Sequence, residues 1–99
     1  MHTVTIDGKE YILRCDLNAY EDIVAKYGDL RTATSITEED AAEKVVYLLT
    51  TLINEHYQYI GEKEMLTEKR VSRMLYPGDV MRVYEAVMAE INDAFAPKN

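Results

Sequence analysis

The sequence predicts a mainly α-helical fold: an N-terminal β-hairpin followed by a four-helix domain. Three observations carry this. Apolar and polar residues alternate on both sides of Asp7-Gly8 near the N-terminus, the pattern of two strands joined by a tight turn. From residue 17 onward the apolar residues recur at steps of three and four, the period of a helix face. The chain holds only 4 Gly and 2 Pro, too few turn-formers for a β-sandwich.

The hairpin is expected over residues 3–15. A two-residue loop pairs Ile6 with Lys9 and Val4 with Tyr11. A four-residue loop pairs Ile6 with Tyr11 and Val4 with Leu13. The wider loop is preferred, because it sets apolar against apolar and leaves Lys9 and Glu10 in the turn. Both registers put Val4, Ile6, Tyr11 and Leu13 on one face, since strand side chains alternate with period two. A lone hairpin is marginal, so that face must lie on helices or gain strands from another chain. The outer face carries Thr3, Thr5, Ile12 and Arg14. It reads as an ordinary solvent face, or as an edge open to strand addition and self-association.

Asp16 is placed to cap a first helix over about 17–27, with Leu17, Tyr20, Ile23, Val24 and Tyr27 on its apolar face and Gly28 ending it. Residues 29–36 read as a connection. A capping box of Ser35 with Glu38 opens the second helix, about 37–60; Thr37 with Asp40 is the weaker alternative. Its broad stripe, from Ala41, Ala42, Val45 and Val46 to His56, Tyr57 and Ile60, makes it the spine of the core. Thr67 caps a short helix over 67–76 that faces in with Val71, Met74 and Leu75, and Pro77-Gly78 breaks it. Asp79 caps the last helix, 79–95, whose face runs Val80, Val83, Tyr84, Val87, Met88, Ile91, Phe95. Ala96–Asn99 reads as a frayed end.

At 99 residues the chain suffices for a single domain, 1–99, with one modest core, and is too short for a cofactor domain joined to a substrate domain. Eleven Lys and Arg against eighteen Asp and Glu leave a net charge of −7, which opposes phosphate binding. The basic residues Lys63, Lys69, Arg70, Arg73 and Arg82 are interleaved with Glu62, Glu64, Glu68 and Asp79, the pattern of a salt-bridged solvated face. No nucleic-acid partner is expected. No apolar run reaches membrane-spanning length, and Met1–Thr5 lacks the basic and apolar blocks of a signal peptide, so the expected location is cytoplasmic with no membrane partner. The single cysteine, Cys15, forms no internal disulfide and reads as a small buried hydrophobe.

No catalytic constellation, cofactor loop or metal-ligand spacing appears, so no enzyme activity, cofactor or metal is expected. His56 lies within the apolar stripe and reads as a hydrogen-bonded core histidine. The carboxylates fall at turns and caps and read as solvated charge. The notable feature is 8 Tyr beside 1 Phe and no Trp. Tyrosine combines apolar area with a polar tip and suits surfaces that are covered only part of the time. Tyr11, Tyr20, Tyr27 and Tyr84 fall on predicted core faces. Tyr47 lies opposite the Val45/Leu49/Leu52 stripe and is the first candidate contact residue; Tyr57 and Tyr59 flank the stripe. Met74, Met81 and Met88 are a second set, either core filling or an adaptable binding surface. Ile12, on the outer hairpin face, completes the candidates.

The order of elements resembles the tail assembly chaperones of long-tailed phages and prophages. The resemblance is carried by Ile6-Asp7-Gly8-Lys9-Glu10-Tyr11-Ile12-Leu13-Arg14, by Asp16-Leu17-Asn18-Ala19-Tyr20-Glu21, and by Ile23 through Leu30. It is sharpest over residues 6–30, and three further helices follow. It implies a non-enzymatic protein of the host cytoplasm. Such a protein binds the long apolar tape-measure protein, keeps it soluble, and is displaced as tail tube protein assembles. No catalytic residue is implied. The alternative is a small prophage regulatory module, repressor-like or antitoxin-like, suggested by the Pro77-Gly78 turn between two helices.

Overall fold

The computed structural model describes residues 1–97; Lys98 and Asn99, part of the end read as frayed, lie outside the described residues. The hairpin pairs β1 (His2–Ile6) with β2 (Lys9–Leu13). Its register sets Ile6 against Lys9 and Val4 against Tyr11, the two-residue loop rather than the preferred wider one. Asp7 (φ 52°) and Gly8 (φ 76°) both take the left-handed conformation. Two left-handed residues give the turn whose twist matches the strands, and that backbone match outweighs opposing Ile6 with Lys9. The predicted inner face is unchanged: Val4, Ile6, Tyr11 and Leu13 are buried.

All four predicted helices form, as α1 (Leu17–Tyr27), α3 (Ala41–Tyr59), α4 (Glu68–Met74) and α5 (Val80–Ala94), with a short α2 (Leu30–Thr34) added in the expected connection. Asp16 caps α1, its Oδ1 accepting the Ala19 N–H at 3.0 Å. Gly28, at φ 93°, ends α1 and donates to the Val24 carbonyl at 2.7 Å. The buried face of α1 starts at Ala19, not Leu17, which is 72% exposed. Two positions along a helix turn about 200° around it, so both cannot face the core. Asp29 caps α2 through the Thr32 N–H at 2.7 Å. Only Ala33 is buried there, which is why no apolar period announced the helix.

Before α3 the capping box is Thr37 with Asp40, the weaker of the two expected pairs: the Thr37 N–H donates to Asp40 Oδ1 at 2.6 Å and the Asp40 N–H to Thr37 Oγ1 at 3.3 Å. The carbonyl of Ser35 instead accepts from Lys44 Nζ at 2.9 Å, beside the Thr32 carbonyl at 2.8 Å and Asp40 Oδ2 at 3.0 Å. Three oxygens around one ammonium satisfy its donors and fasten the end of α2 to α3, which explains a buried lysine. Thr67 caps α4 as expected, its hydroxyl accepting the Arg70 N–H at 3.1 Å. Pro77–Asp79 form a single 3₁₀ turn. The Asp79 carboxylate does not cap α5. It turns back to accept the Tyr76 N–H at 2.8 Å and pairs with Arg82 at 3.2 Å.

α3 is the spine: it touches α1, α4, α5 and β2, while β1 rests on α5. Leu48, Leu49, Leu52 and Ile53 of α3 are fully buried against Val83, Val87 and Ile91 of α5, Val71 of α4 and the hairpin face. Ala42, Ile60 and Phe95, placed on apolar faces by spacing, are exposed. Ile60 and Phe95 follow the last residues of their helices, and the Phe95 ring meets Tyr20 of α1 edge-on at 5.8 Å.

Glu90 of α5 is buried and ties both ends of the hairpin to the helix. Its Oε1 accepts the His2 N–H at 3.2 Å and its Oε2 the Cys15 N–H at 3.0 Å. This corrects the expectation that the carboxylates are solvated charge. Arg82 donates to the Thr5 carbonyl at 2.8 Å, and the Arg14 N–H donates to the Leu52 carbonyl at 3.2 Å. Thr5 of β1 and Arg14, just past β2, thus each spend a backbone group within the chain, which leaves the hairpin less open to the strand addition raised as the alternative to a plain solvent face.

Candidate functional site

An apolar groove opens where the first turns of α3 pass α4 and the connection into α5. Its volume is about 1010 Å³. α3 contributes Ala41, Ala42, Val45 and Val46, two adjacent pairs one turn apart. The other wall is Leu75, Tyr76, Pro77, Val80 and Met81. The local causes are plain. α4 is only 7 residues long, and Pro77 stops it before it can cover this part of α3. The two alanines leave the floor low. Tyr76 and Met81 project into solvent, 73% and 55% exposed.

The polar residues of the groove are Glu38, Glu43, Glu68, Lys69 and Ser72, all exposed. No ion pair within the described residues neutralises the three carboxylates. The groove is therefore apolar within and carries three negative charges against one positive charge at its margin. That arrangement suits a partner that buries apolar side chains.

Of the seven sequence candidates, Met81 alone lines this groove. Tyr47 is half-buried against α1, not opposite the core: its ring meets Tyr27 edge-on at 5.5 Å, and its hydroxyl donates to the Asp22 carbonyl at 3.1 Å. Tyr57, Met74 and Met88 are half-buried against the core. Tyr59 is exposed, lies under the Arg14 guanidinium at 3.7 Å and does not line the groove. Ile12 is half-buried on the hairpin. Sequence reasoning missed Tyr76 and the Ala41-Ala42/Val45-Val46 pairs. The available signal was the width of the α3 stripe, an apolar arc broader than one packing partner covers.

His56 is buried as expected, but its Nδ1 has no hydrogen-bond partner among the described residues, nor do the buried hydroxyls of Tyr27 and Thr50. Burial, then the nearby charges of Glu43 and Glu68, push the Tyr27 hydroxyl up to about 12. Burial, then Glu90, Asp16 and Glu55, push the Cys15 thiol up to about 11, so it is protonated at neutral pH and a poor nucleophile. No group of three or more His, Cys, Asp or Glu among the described residues is arranged to hold a metal ion. Two smaller cavities, each about 440 Å³, have mixed polar walls: one beside Tyr47, Thr50 and Asn54, the other beside Met1, Arg14 and Cys15. No described helix is long and apolar enough to cross a membrane.

No protein-family model, curated protein or solved structure matches the chain.

Proposed function

We propose that this chain is a non-enzymatic tail assembly chaperone of phage or prophage type that works in the host cytoplasm. It binds the tape-measure protein, keeps it soluble, and yields it as tail tube protein polymerises. The observation that supports this reading best is the apolar groove between α3, α4 and the start of α5. It offers pliable methionine and tyrosine surface, which accommodates apolar helices without strict sequence demands. The net charge of −7 keeps such a complex soluble. The hairpin-and-helix pattern over residues 6–30 supports the same family.

The regulatory alternative finds less support. Its recognition helix would be α5, whose one cation, Arg82, is already engaged by the Thr5 carbonyl and Asp79. Glu85 and Asp93 on that helix repel phosphate.

Co-expression with the tape-measure protein of the same phage or prophage tests the reading. The expected result is soluble tape-measure protein that co-purifies with this chain. Unchanged insolubility and no co-purification overturn it.

A further inference from the structure

We infer that the groove takes an amphipathic helix from another protein, its apolar side flanked by lysine or arginine. The inference deepens the chaperone reading and rests on it for the view that the occupant is a protein. The floor at Ala41 and Ala42 allows a helix backbone to come close, and Val45 and Val46 sit one turn further on. Met81 and Tyr76, exposed on the facing wall, supply adaptable contact.

The choice of occupant follows from charge. Glu38 precedes α3, Glu43 lies on α3, and Glu68 opens α4, so carboxylates stand on both walls, with Lys69 the one cation between them. None of the three carboxylates is in an ion pair within the described chain. A cationic flank on the incoming helix gains from all of them, and an acidic flank is repelled. A second copy of this chain brings another −7 and meets that repulsion. A small apolar ligand needs a few buried polar groups to orient it. Here every charged residue of the groove, and Ser72 with them, is exposed.

The test uses the full chain and two fluorescein-labelled helical peptides with the same leucine face, one flanked by lysines and the other by glutamates. Binding is read by fluorescence anisotropy. The lysine peptide is expected to bind at least tenfold more tightly, with the preference shrinking as salt is raised. A42Q/M81N, neutral and confined to exposed positions, weakens the lysine peptide about tenfold. E38Q/E43Q/E68Q brings the two peptides to similar affinity. L17S, outside the groove, changes neither.

Equal binding of the two peptides overturns the inference, as does wild-type binding by A42Q/M81N. A dimer in sedimentation that A42Q/M81N dissolves assigns the groove to a second copy and also overturns it. Palmitate that binds and competes with the peptide assigns it to a small ligand, with the same result. If A42Q/M81N does not fold, the triple glutamine variant decides through the charge preference alone. Failure of tape-measure co-purification with the lysine preference intact removes the chaperone reading and leaves the groove assignment. Tape-measure protein retained by A42Q/M81N does the reverse.

Discussion

The two ends of the α3–α5 layer are treated differently. At the end where α5 meets the first and last residues of the hairpin, polar groups are drawn inward and used: Glu90 holds the His2 and Cys15 amides. Apolar side chains there are covered, with Leu13 and Ile91 almost fully buried. At the groove end, Ala42, Tyr76 and Met81 are exposed, and Glu38, Glu43 and Glu68 have no ion-pair partner within the described chain. The same two helices thus build a closed interior at one end and an open surface at the other. A region whose polar groups are paired and whose apolar groups are covered carries stability. A region that leaves both free contributes little to stability and is available for contact.

The comparison predicts where substitutions hurt. The largest effect is expected from truncating the core: Leu13→Ala should lower unfolding free energy by about 2–5 kcal/mol, measured by urea denaturation. Glu90→Ala leaves two amides without their acceptor and should cost about 1–3 kcal/mol. Glu90→Gln, which retains one carbonyl acceptor, should cost less, and equal losses would show that the two bonds are not what holds the hairpin. Asn54 pins the loop before α4, its Oδ1 accepting the Leu66 N–H and its Nδ2 donating to the Leu66 carbonyl, both at 2.8 Å. Asn54→Ala should cost about 1–2 kcal/mol and loosen α4, read as faster hydrogen exchange there. By contrast A42Q/M81N should stay within about 0.5 kcal/mol of wild type. A loss as large as that of Glu90→Ala would make the groove part of the structural core and erase the comparison.

The smallest effect is the pH dependence of the caps. The Thr32 amide holds the Asp29 carboxyl below its ordinary value, the Thr37 amide and Lys44 do so for Asp40, and the Tyr76 amide and Arg82 for Asp79. Each folded value lies below the unfolded one. The stabilisation is therefore complete above the unfolded carboxylate range, about 4, and is lost as pH falls through the folded values. The thermal midpoint should hold from neutral pH down to that range and then decline. Replacing Asp40 by Asn should flatten part of the decline.

The four main helices were legible because α1, α3 and α5 repeat their apolar residues at helical spacing and Thr67 marks the start of α4. The hairpin face was legible because period two survives either register. The register itself was misjudged: side-chain pairing favoured the wide loop, while the left-handed preference of Asp7-Gly8 decided for the tight one. α2 was missed because five residues with one buried alanine leave no periodic signal. Tyr47 was misplaced for a different reason. Its position on α3 shows which way it points, not that α1 lies there to receive its ring and hydroxyl.

Local chemistry, by itself, determined the hairpin and the four main helices, the caps at Asp16 and Thr67, the buried strand face and the acidic character, because each depends on residues within a few positions of one another. Only tertiary structure decided that Glu90 and Lys44 are buried and satisfied, that Tyr47 is engaged within the chain, and that Ala42, Tyr76 and Met81 share an open groove. Those outcomes depend on which segments, distant in sequence, arrive within hydrogen-bonding or van der Waals reach, and helical or strand periodicity carries no record of that.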